Sequence, residues 1–449
     1  MKINRNIFWS ELFVEELVSS GVKYACISPG SRSTSLNLAF AKHEKIKSFS
    51  HIDERSGGFF ALGLAKQSNS PVALICTSGT ATAEFYPAII EAYNQRVPLI
   101  VCTADRSPEL QNVGANQTIN QENIFKNHIR WFANVGLPEL SIEQLKNIKL
   151  IARRAVYEAV AKSRGPVHLN FPFNKPFEPH LFTDEISQDF FESAVNSKIK
   201  KFDFEKSVSK TISIKKLNEV LSLIQSKKKG LIIVGPNNYD KKFIAKINYL
   251  AKTLSYPILA DVASQLRFNS EEKINVITNY DALLRNSKLK KYYESDFILQ
   301  FGRTTTSKGL EIYLEETSAT RIIINQYGDW FDPSNNASES IACDPIIFCE
   351  QLISLLGKSD IPKNHKWLNL FLDSDSKAAA IRKKIIDKIE FINESKFVNQ
   401  FLNLLPENIN LMLSNSMPIR EFDYFASKLN KNIFVHQNRG ASGIDGINS

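Results

Sequence analysis

The sequence lacks the features of disulfide-stabilised, zinc-binding and membrane-spanning proteins. Its five cysteines form an odd number with no Cys-x-x-Cys pair, which argues against a disulfide scaffold and against a zinc site. No apolar run approaches the roughly 18 residues that a membrane span requires, and the N-terminus has no signal-peptide core. We therefore expect a cytoplasmic protein. With 18 glycines and 17 prolines in 449 residues, the chain is neither collagen-like nor low in complexity.

The net charge of +9 is concentrated in one stretch of the chain. Residues 191–230 contain ten lysines against four acidic residues, a local excess of six of the nine charges. The stretch has few aromatic residues and no signature of a nucleic-acid-binding fold, which favours a solvated linker over a phosphate-binding arm. We expect no nucleic-acid partner.

Short apolar runs alternate with helical periodicity over most of the chain, which predicts an α/β fold of doubly wound parallel sheets. A short apolar run that is followed by a small or acidic residue and then by a helix is typical of a strand buried on both faces. Such runs occur at 24–27, 72–76, 99–102, 167–170, 230–236, 257–261, 297–302 and 321–325. Two further strand candidates, at 409–413 and 433–436, follow near the C-terminus.

This alternation predicts three domains and a linker. The first α/β domain covers residues 1–185, a basic linker covers 186–225 and a central α/β domain covers 226–357. Residues 358–449 begin a third domain, which we expect to be incomplete. The turn at Gly235 of the central domain lacks a full dinucleotide fingerprint, so we expect no independent nucleotide site there.

The residues just after the strands are the candidates for chemistry, because parallel sheets bind ligands beyond the carboxyl ends of their strands. The turn at 28–34 opens a helix and is consistent both with an anion site and with an ordinary helix cap. The acidic segment at 51–55 is consistent with an ordinary helix cap, but it precedes a double glycine, which lets another backbone or a flat ligand approach the helix closely. The turn at 77–82 resembles a phosphate cradle but lacks the lysine of a P-loop. Each turn alone is a weak signal.

In combination, these turns resemble the motifs of thiamine-diphosphate enzymes. The matching segments are Ser-Pro-Gly-Ser-Arg-Ser-Thr at 28–34, His-Ile-Asp-Glu-Arg at 51–55, Thr-Ser-Gly-Thr-Ala at 77–81, Thr-Ala-Asp-Arg-Ser-Pro-Glu-Leu at 103–110, Gly-Ala-Asn-Gln at 114–117, Gly-Pro-Val-His-Leu-Asn at 165–170, Asn-Ser-Met-Pro-Ile-Arg at 415–420 and Asn-Arg-Gly-Ala-Ser-Gly-Ile-Asp-Gly at 438–446. Within that group the chain is most similar to the 2-succinyl-5-enolpyruvyl-6-hydroxy-3-cyclohexene-1-carboxylate synthase family of menaquinone biosynthesis.

The resemblance implies cofactors, substrates and an assembly. The cofactors are thiamine diphosphate and Mg²⁺ or Mn²⁺, and the substrates are 2-oxoglutarate and isochorismate. Such a transferase decarboxylates 2-oxoglutarate and adds the succinyl carbanion to isochorismate in a 1,4 sense. The cofactor bridges the pyrimidine-binding domain of one chain, here 1–185, and the diphosphate-binding domain of another, here begun at 358–449. A homodimer or homotetramer is therefore expected.

The resemblance also implies site residues, taken motif by motif. The catalytic residues are Glu54, which promotes the imino tautomer of the aminopyrimidine ring, and Gln117. The cofactor contacts are Glu54, Asn415, Ser416, Ser442 and Ile444. The substrate contacts are Ser31, Arg32, Arg106, Asn116, Gln117, Lys308, Ser416, Arg420 and Arg439, among which the arginines suit bidentate binding of carboxylates. His51 and Asp53 are interpreted as structural neighbours of Glu54.

The family's metal-binding segment, Gly-Asp-x-Ser followed later by an asparagine, has no counterpart in the sequence. We therefore expect no metal ligands in this chain, which would be C-terminally truncated. We also expect little or no activity of the chain as written, because no metal ion would compensate the negative charges of the two phosphates of the cofactor. Three hypotheses remain open. They are the synthase itself, another thiamine-diphosphate decarboxylase or carboligase, whose substrates need fewer cations, and a non-catalytic remnant.

Overall fold

The computed structural model describes residues 1–161, 163–197, 211–268 and 275–443. The chain divides into two compact units, unit 1 from Met1–Ser207 with Asn438–Ser449 and unit 2 from Val208–Gln437. Each unit contains a six-stranded parallel sheet, which confirms the predicted fold class. The predicted domain boundaries stay a prediction. Five lysines of the predicted linker, within 198–210, and Ile444 lie outside the described residues.

Unit 1 alternates strands with helices. Its strands are β1 (Lys2–Ile3), β2 (Tyr24–Ile27), β3 (Lys47–Ser50), β4 (Val72–Cys76), β5 (Leu99–Arg106), β6 (Phe132–Asn134), β7 (Val167–Phe173) and β8 (Asp184–Glu185). Its helices are α1 (Arg5–Ser19), α2 (Thr34–Lys42), α3 (Glu54–Ser68), α4 (Thr80–Glu84), α5 (Tyr86–Gln95), α6 (Ile142–Val160) and α7 (Gln188–Asn196).

The main sheet of unit 1 has the strand order β3-β2-β4-β5-β7-β6, and β1 pairs separately with β8. One apolar core packs α1, α2 and α6 against one face of this sheet, and a second core packs α3 and α5 against the other. Every residue of β4 is buried, as its continuous apolar run predicts. From β2 the chain adds β3 on one side and then β4 on the other, so the switch point of the sheet lies between β2 and β4. Ligands are expected beyond the carboxyl ends of these two strands.

Unit 2 follows the same alternation. Its strands are β9 (Gly230–Val234), β10 (Ile258–Ala260), β11 (Val276–Ile277), β12 (Phe297–Phe301), β13 (Thr320–Asn325), β14 (Glu339–Ala342), β15 (Ile409–Leu413) and β16 (Ile433–Gln437). Its helices are α8 (Ile214–Ser226), α9 (Lys241–Leu254), α10 (Tyr280–Arg285), α11 (Ser287–Lys290), α12 (Lys308–Glu316), α13 (Pro345–Leu356), α14 (His365–Ile386), α15 (Glu394–Leu404) and α16 (Met417–Phe425).

The main sheet of unit 2 has the order β11-β10-β9-β12-β13-β14, with its switch point between β9 and β12. Backbone fills the crevice at this point, because a Cβ on Gly235 would lie only 1.8 Å from the carbonyl oxygen of Arg303. The strands predicted near the C-terminus form the parallel pair β15-β16. Helices α15 and α16 pack on this pair.

A buried ion pair joins α16 to the turn after β10. Nη2 of Arg267 donates to Oδ1 of Asp423 at 2.7 Å, and neither side chain is exposed. Burial raises the pKa of Asp423, and Arg267 opposes the shift. None of the helices in the described ranges is both long enough and apolar enough to cross a membrane.

Candidate active site

Three of the turns noted in the sequence meet at the carboxyl edge of the unit 1 sheet. A Cβ on Gly30, after β2, would lie 2.5 Å from Cβ of Thr77, after β4, so a glycine is needed for this close approach. Gly79 has a φ of +88°, and a Cβ there would lie 2.9 Å from Cγ of Gln117. These contacts bring the segments at 28–34, 77–82 and 114–117 into one site at the switch point of the sheet.

Arg32 is a buried cation that forms no salt bridge with any described residue, although Asp105 and Glu109 lie close enough to attract it. Its residue surface is 7% exposed, its Nη1 donates to the carbonyl oxygen of Phe173 at 2.5 Å, and its guanidinium lies over the ring of Phe177. Its Nε has no hydrogen-bond partner among the described residues. Burial lowers the pKa of Arg32 to about 10, and repulsion from Arg106 adds to the lowering. Because buried charges are normally paired, this guanidinium is suited to an anionic ligand.

Arg106, the last residue of β5, is held next to the loop that carries the other predicted polar contacts. Its Nη1 donates to Oγ of Ser78 at 2.7 Å, and its Nε and Nη2 donate to the carbonyl oxygen of Asn116 at 3.2 and 2.9 Å. Gln117 follows with a φ of +56°, and its Nε2 donates to the carbonyl oxygen of Ser78 at 2.9 Å. Two guanidinium groups close enough to repel each other fit a dicarboxylate better than a monocarboxylate.

The buried side-chain amide of Gln121, which sequence reasoning missed, forms hydrogen bonds beside this loop. Gln121 is 1% exposed, and its Oε1 accepts a hydrogen bond from the backbone N–H of Gly79 at 2.8 Å. Its Nε2 donates to the carbonyl oxygen of Ala104 at 3.1 Å and to Oδ1 of Asn170 at 3.0 Å. Asn170 in turn donates to Oδ2 of Asp105 at 2.8 Å. Gln121 therefore connects the turn after β4 to the ends of β5 and β7.

The same network continues to a neutral histidine in the sheet. Nε2 of His168 lies 2.8 Å from Oγ1 of Thr103, which donates to Oδ1 of Asn170 at 2.9 Å. Burial lowers the pKa of His168 to about 3, so its ring is uncharged at neutral pH. Burial also raises the pKa of Asp105, while its hydrogen bonds with Asn170 and its neighbours oppose that shift.

Glu54 begins α3 at the next turn along the same edge. Asp53 caps the helix, since its carboxylate accepts a hydrogen bond from the backbone N–H of Arg55 at 2.9 Å, and it also pairs with the side chain of Arg55 at 3.0 Å. This arrangement gives Asp53 the structural role interpreted from the sequence. Glu54 itself is half-buried and stands at the helix start, where a carboxylate is electrostatically favourable.

The first turn of α3 leaves unsatisfied polar atoms beside a glycine. A Cβ on Gly57 would lie 3.2 Å from Cβ of His51 and 3.4 Å from Oγ of Ser28. Nε2 of His51 and Oγ of Ser28 are buried and have no hydrogen-bond partner within the described part of the chain. Burial lowers the pKa of His51, which keeps the ring neutral. Buried polar atoms of this kind are normally satisfied, so the turn fits a flat polar ligand next to Glu54.

Comparisons with known proteins match both units. Residues 9–124 match the family model described as the N-terminal TPP binding domain of thiamine pyrophosphate enzymes, and residues 197–413 match the middle domain of thiamine pyrophosphate enzymes. The 2-succinyl-5-enolpyruvyl-6-hydroxy-3-cyclohexene-1-carboxylate synthases of Haloquadratum walsbyi, Bacillus cytotoxicus and Geobacillus kaustophilus are 36%, 36% and 39% identical to the chain. The alignments cover 99%, 97% and 98% of this chain and 76%, 73% and 74% of those relatives. The chain belongs to this synthase family. Its cofactors are therefore thiamine diphosphate and a divalent metal ion.

The synthase family's organic cofactor fits the residues of the described edge. The unsatisfied atoms of Ser28 and His51 beside Glu54 suit an aminopyrimidine ring, which offers both donors and acceptors. In unit 2, Ser416 has a φ of +69° and precedes α16, whose first turn has no side-chain cap, so its N–H groups suit a phosphate. Asn415 is buried after β15.

The remaining residues predicted from the synthase family are distributed over both units. Ser31 is exposed beside Arg32, and Ser442 is exposed in unit 1. Arg439 is half-buried in unit 1, and Arg420 is half-buried on α16 of unit 2. Lys308 begins α12 of unit 2, where it pairs with Glu311 of the same helix at 2.9 Å; this hydrogen bond raises the pKa of Lys308.

Residues 1–161, 163–197, 211–268 and 275–443 contain no cluster of side chains that could bind the divalent ion of the synthase family. No three His, Cys, Asp or Glu side chains converge there. A divalent ion of this kind normally takes several oxygen ligands, with carboxylates prominent among them. The described residues therefore do not fit the ion by themselves.

Sequence reasoning missed two polar residues at this edge. Ser78, which contacts both Arg106 and Gln117, lies in a turn that the sequence does single out, so its place after β4 was a usable signal. Gln121 stands outside every motif, and its partners lie in the turn after β4 and in the strands β5 and β7. Nothing in the local pattern around it indicates that it is buried.

Proposed function

We propose that the chain, against the expectation of little or no activity, catalyses the reaction of its family, the thiamine-diphosphate-dependent decarboxylation of 2-oxoglutarate and 1,4-addition of the succinyl unit to isochorismate. The product is 2-succinyl-5-enolpyruvyl-6-hydroxy-3-cyclohexene-1-carboxylate, an intermediate of menaquinone biosynthesis. The observation that carries the choice of substrates is the buried guanidinium of Arg32, which forms no salt bridge within the described part of the chain, beside the second guanidinium of Arg106. Both substrates are dicarboxylates, and such a pair of cations suits them.

Arg32 and Arg106 would bind and orient carboxylates at the edge of the sheet. Arg106 is fixed by Ser78 and by the backbone of Asn116, so its guanidinium is preorganised before the substrate arrives. Arg32 would gain a directly hydrogen-bonded carboxylate, which its Nε does not have among the described residues, and its fork is suited to bidentate contact. Gln117 is fixed by its hydrogen bond to Ser78 and is the proposed second catalytic residue.

Bound thiamine diphosphate supplies the electron sink that decarboxylation of a 2-oxo acid requires. Glu54 would hold a proton on its carboxyl group toward the aminopyrimidine ring, and Ser28 and His51 would satisfy polar atoms of that ring. The proposed cofactor contacts are Glu54, Asn415, Ser416, Ser442 and Ile444. The proposed substrate contacts are Ser31, Arg32, Arg106, Asn116, Gln117, Lys308, Ser416, Arg420 and Arg439.

A comparison of donors tests this proposal against another thiamine-diphosphate carboligase. Release of CO₂ from 2-oxoglutarate and from pyruvate is measured with isochorismate as acceptor, for the wild type and for Arg106→Met. Arg154, an exposed arginine paired with Glu158 on α6, provides the matched control Arg154→Met. We expect 2-oxoglutarate to be the better donor and only Arg106→Met to lose that preference. Pyruvate as the better donor would support the alternative enzyme.

We also propose a homodimer or homotetramer in the cytoplasm. Ile52, two residues before Glu54, is 97% exposed. Because a fully exposed apolar side chain beside a proposed cofactor site is unfavourable in water, it supports contact of this surface with a second copy of the chain. The five cysteines are all free and buried, which is in keeping with a reducing compartment. Light scattering of the purified chain measures the assembly, and a monomeric mass at working concentration would contradict it.

A further inference from the structure

The segment Asn438–Gly443 lies against α3 and α5 within unit 1. Glu91, on α5, accepts hydrogen bonds from two successive backbone N–H groups of this segment, that of Gly440 at 2.8 Å and that of Ala441 at 2.7 Å. Lys66, on α3, donates to Oδ1 of Asn438 at 2.5 Å. A carboxylate and an ammonium group from two packed helices therefore hold one short segment from both sides.

Both charged side chains are buried. Glu91 is 3% exposed and Lys66 is 6% exposed, and charges at such positions are costly unless hydrogen bonds compensate them. Glu91 lies among the buried positions Ala88, Ile89 and Ala92 of α5, so the helix places its carboxylate inside the unit. Each carboxylate oxygen accepts one N–H group of the segment, which forms a small anion-binding concavity around Glu91.

The segment has no spare room at its contact with α5. A Cβ on Gly440 would lie 2.7 Å from Cγ of Gln95 and 2.9 Å from Cβ of Asn94, closer than real Cβ contacts occur. The absence of a side chain at this position lets the backbone N–H reach the carboxylate. The amide of Gln95 also donates to Glu91, which steadies the acceptor.

Arg439 stands between Asn438 and Gly440, the two residues that Lys66 and Glu91 hold. We infer that Glu91 and Lys66 are positioning residues that fix the backbone of Arg439 and thereby place its guanidinium for the carboxylate substrates. This inference rests on the proposed function, in which Arg439 binds substrate. The two helices then supply geometry for substrate binding without touching the substrate.

Hydrogen exchange tests the contact itself. In Glu91→Gln, the acceptor loses its charge, so we expect exchange of the backbone amides at 438–443 to accelerate about 10- to 100-fold, measured by mass spectrometry on peptides. Glu158→Gln, which changes a half-buried glutamate paired with Arg154 on α6, is the matched control and should leave this exchange unchanged. Unchanged exchange in Glu91→Gln would overturn the inference.

Kinetics test the positioning role. Lys66→Met removes the second contact of the segment, and in both variants we expect the KM for a carboxylate substrate to rise about tenfold with a smaller change in kcat, since misplaced binding groups weaken affinity first. Faster exchange with unchanged KM would make the contact purely structural and overturn the inference. A wild type that turns over neither substrate would overturn the proposed function, whereas exchange in Glu91→Gln reports on the contact in either case.

Discussion

Replacing Arg32 by methionine should weaken substrate binding while leaving stability almost unchanged. The variant loses the hydrogen bond to Phe173, worth about 1.5–3 kcal/mol because its donor is charged, but it also removes a buried cation. The fall in the pKa of Arg32 to about 10 corresponds to about 3 kcal/mol of unfavourable burial and repulsion from Arg106, which solvent screening reduces to about 1–2 kcal/mol. We therefore expect the free energy of unfolding of Arg32→Met to lie within about 1 kcal/mol of the wild type.

Substrate binding should respond differently. Hydrogen bonds between a guanidinium and a carboxylate contribute about 1.5–3 kcal/mol, which corresponds to a rise of about 10- to 100-fold in the KM of the affected carboxylate substrate. Arg32→Lys keeps the charge but loses the fork, so it should restore only part of the affinity. Steady-state kinetics with each substrate varied in turn measures this effect.

Arg321 is the matched control for the stability half of the argument. It is also a buried arginine, at 1% exposed, but it pairs with the equally buried Asp332. Arg321→Met leaves that carboxylate unpaired and should lower the stability of unit 2 by about 3–5 kcal/mol without raising KM. Urea denaturation of both variants compares them. The reasoning is refuted if Arg32→Met is as destabilising as Arg321→Met and binds substrate normally.

Three further substitutions test the same edge. Gln121→Ala leaves the N–H of Gly79 without its buried acceptor, so it should lower the free energy of unfolding by about 1–3 kcal/mol and raise KM. A lower melting temperature with an unchanged KM would limit Gln121 to a structural role. The pKa of His168 is about 3 in the folded state against an ordinary value of 6.5, so the unfolded state binds more protons below pH 6.5 and the free energy of unfolding decreases as the pH is lowered, by about 2 kcal/mol at pH 5. Urea midpoints of His168→Gln should therefore depend less on pH than those of the wild type. Equal dependence would contradict burial of a neutral ring. Glu54→Gln should lower kcat about 100-fold or more with an unchanged melting temperature, because an amide cannot exchange the proton, and wild-type turnover would exclude Glu54 from catalysis.

The buried strands of the fold could be predicted, and the edge strands could not. β4 and β9 are covered on both faces, so each reads as a continuous apolar run in the sequence. β3 and β14 lie at sheet edges and are mostly half-exposed, and their sequences, Lys-Ser-Phe-Ser and Glu-Ser-Ile-Ala, contain no such run. Their strand geometry comes from pairing with a neighbour, which is not a local property of the sequence.

Much of the candidate site could also be predicted from strand order alone. Arg32 follows β2 and Arg106 ends β5, two parallel strands on either side of β4, and their carboxyl ends share one edge of the sheet, so their convergence follows from topology. Gln121 and Glu91 could not be found in this way. Each is a single buried polar residue that accepts hydrogen bonds from backbone N–H groups far away in the sequence, and a local pattern carries no record of such contacts.

Product formation from both substrates tests the central claim most directly. The purified chain is supplied with thiamine diphosphate, Mg²⁺, 2-oxoglutarate and isochorismate, and CO₂ release, isochorismate loss and product mass are measured together. The account predicts that one CO₂ is released for each isochorismate consumed, with a product equal in composition to the two substrates less CO₂. Release of CO₂ without consumption of isochorismate, or consumption that proceeds equally without thiamine diphosphate, would contradict it.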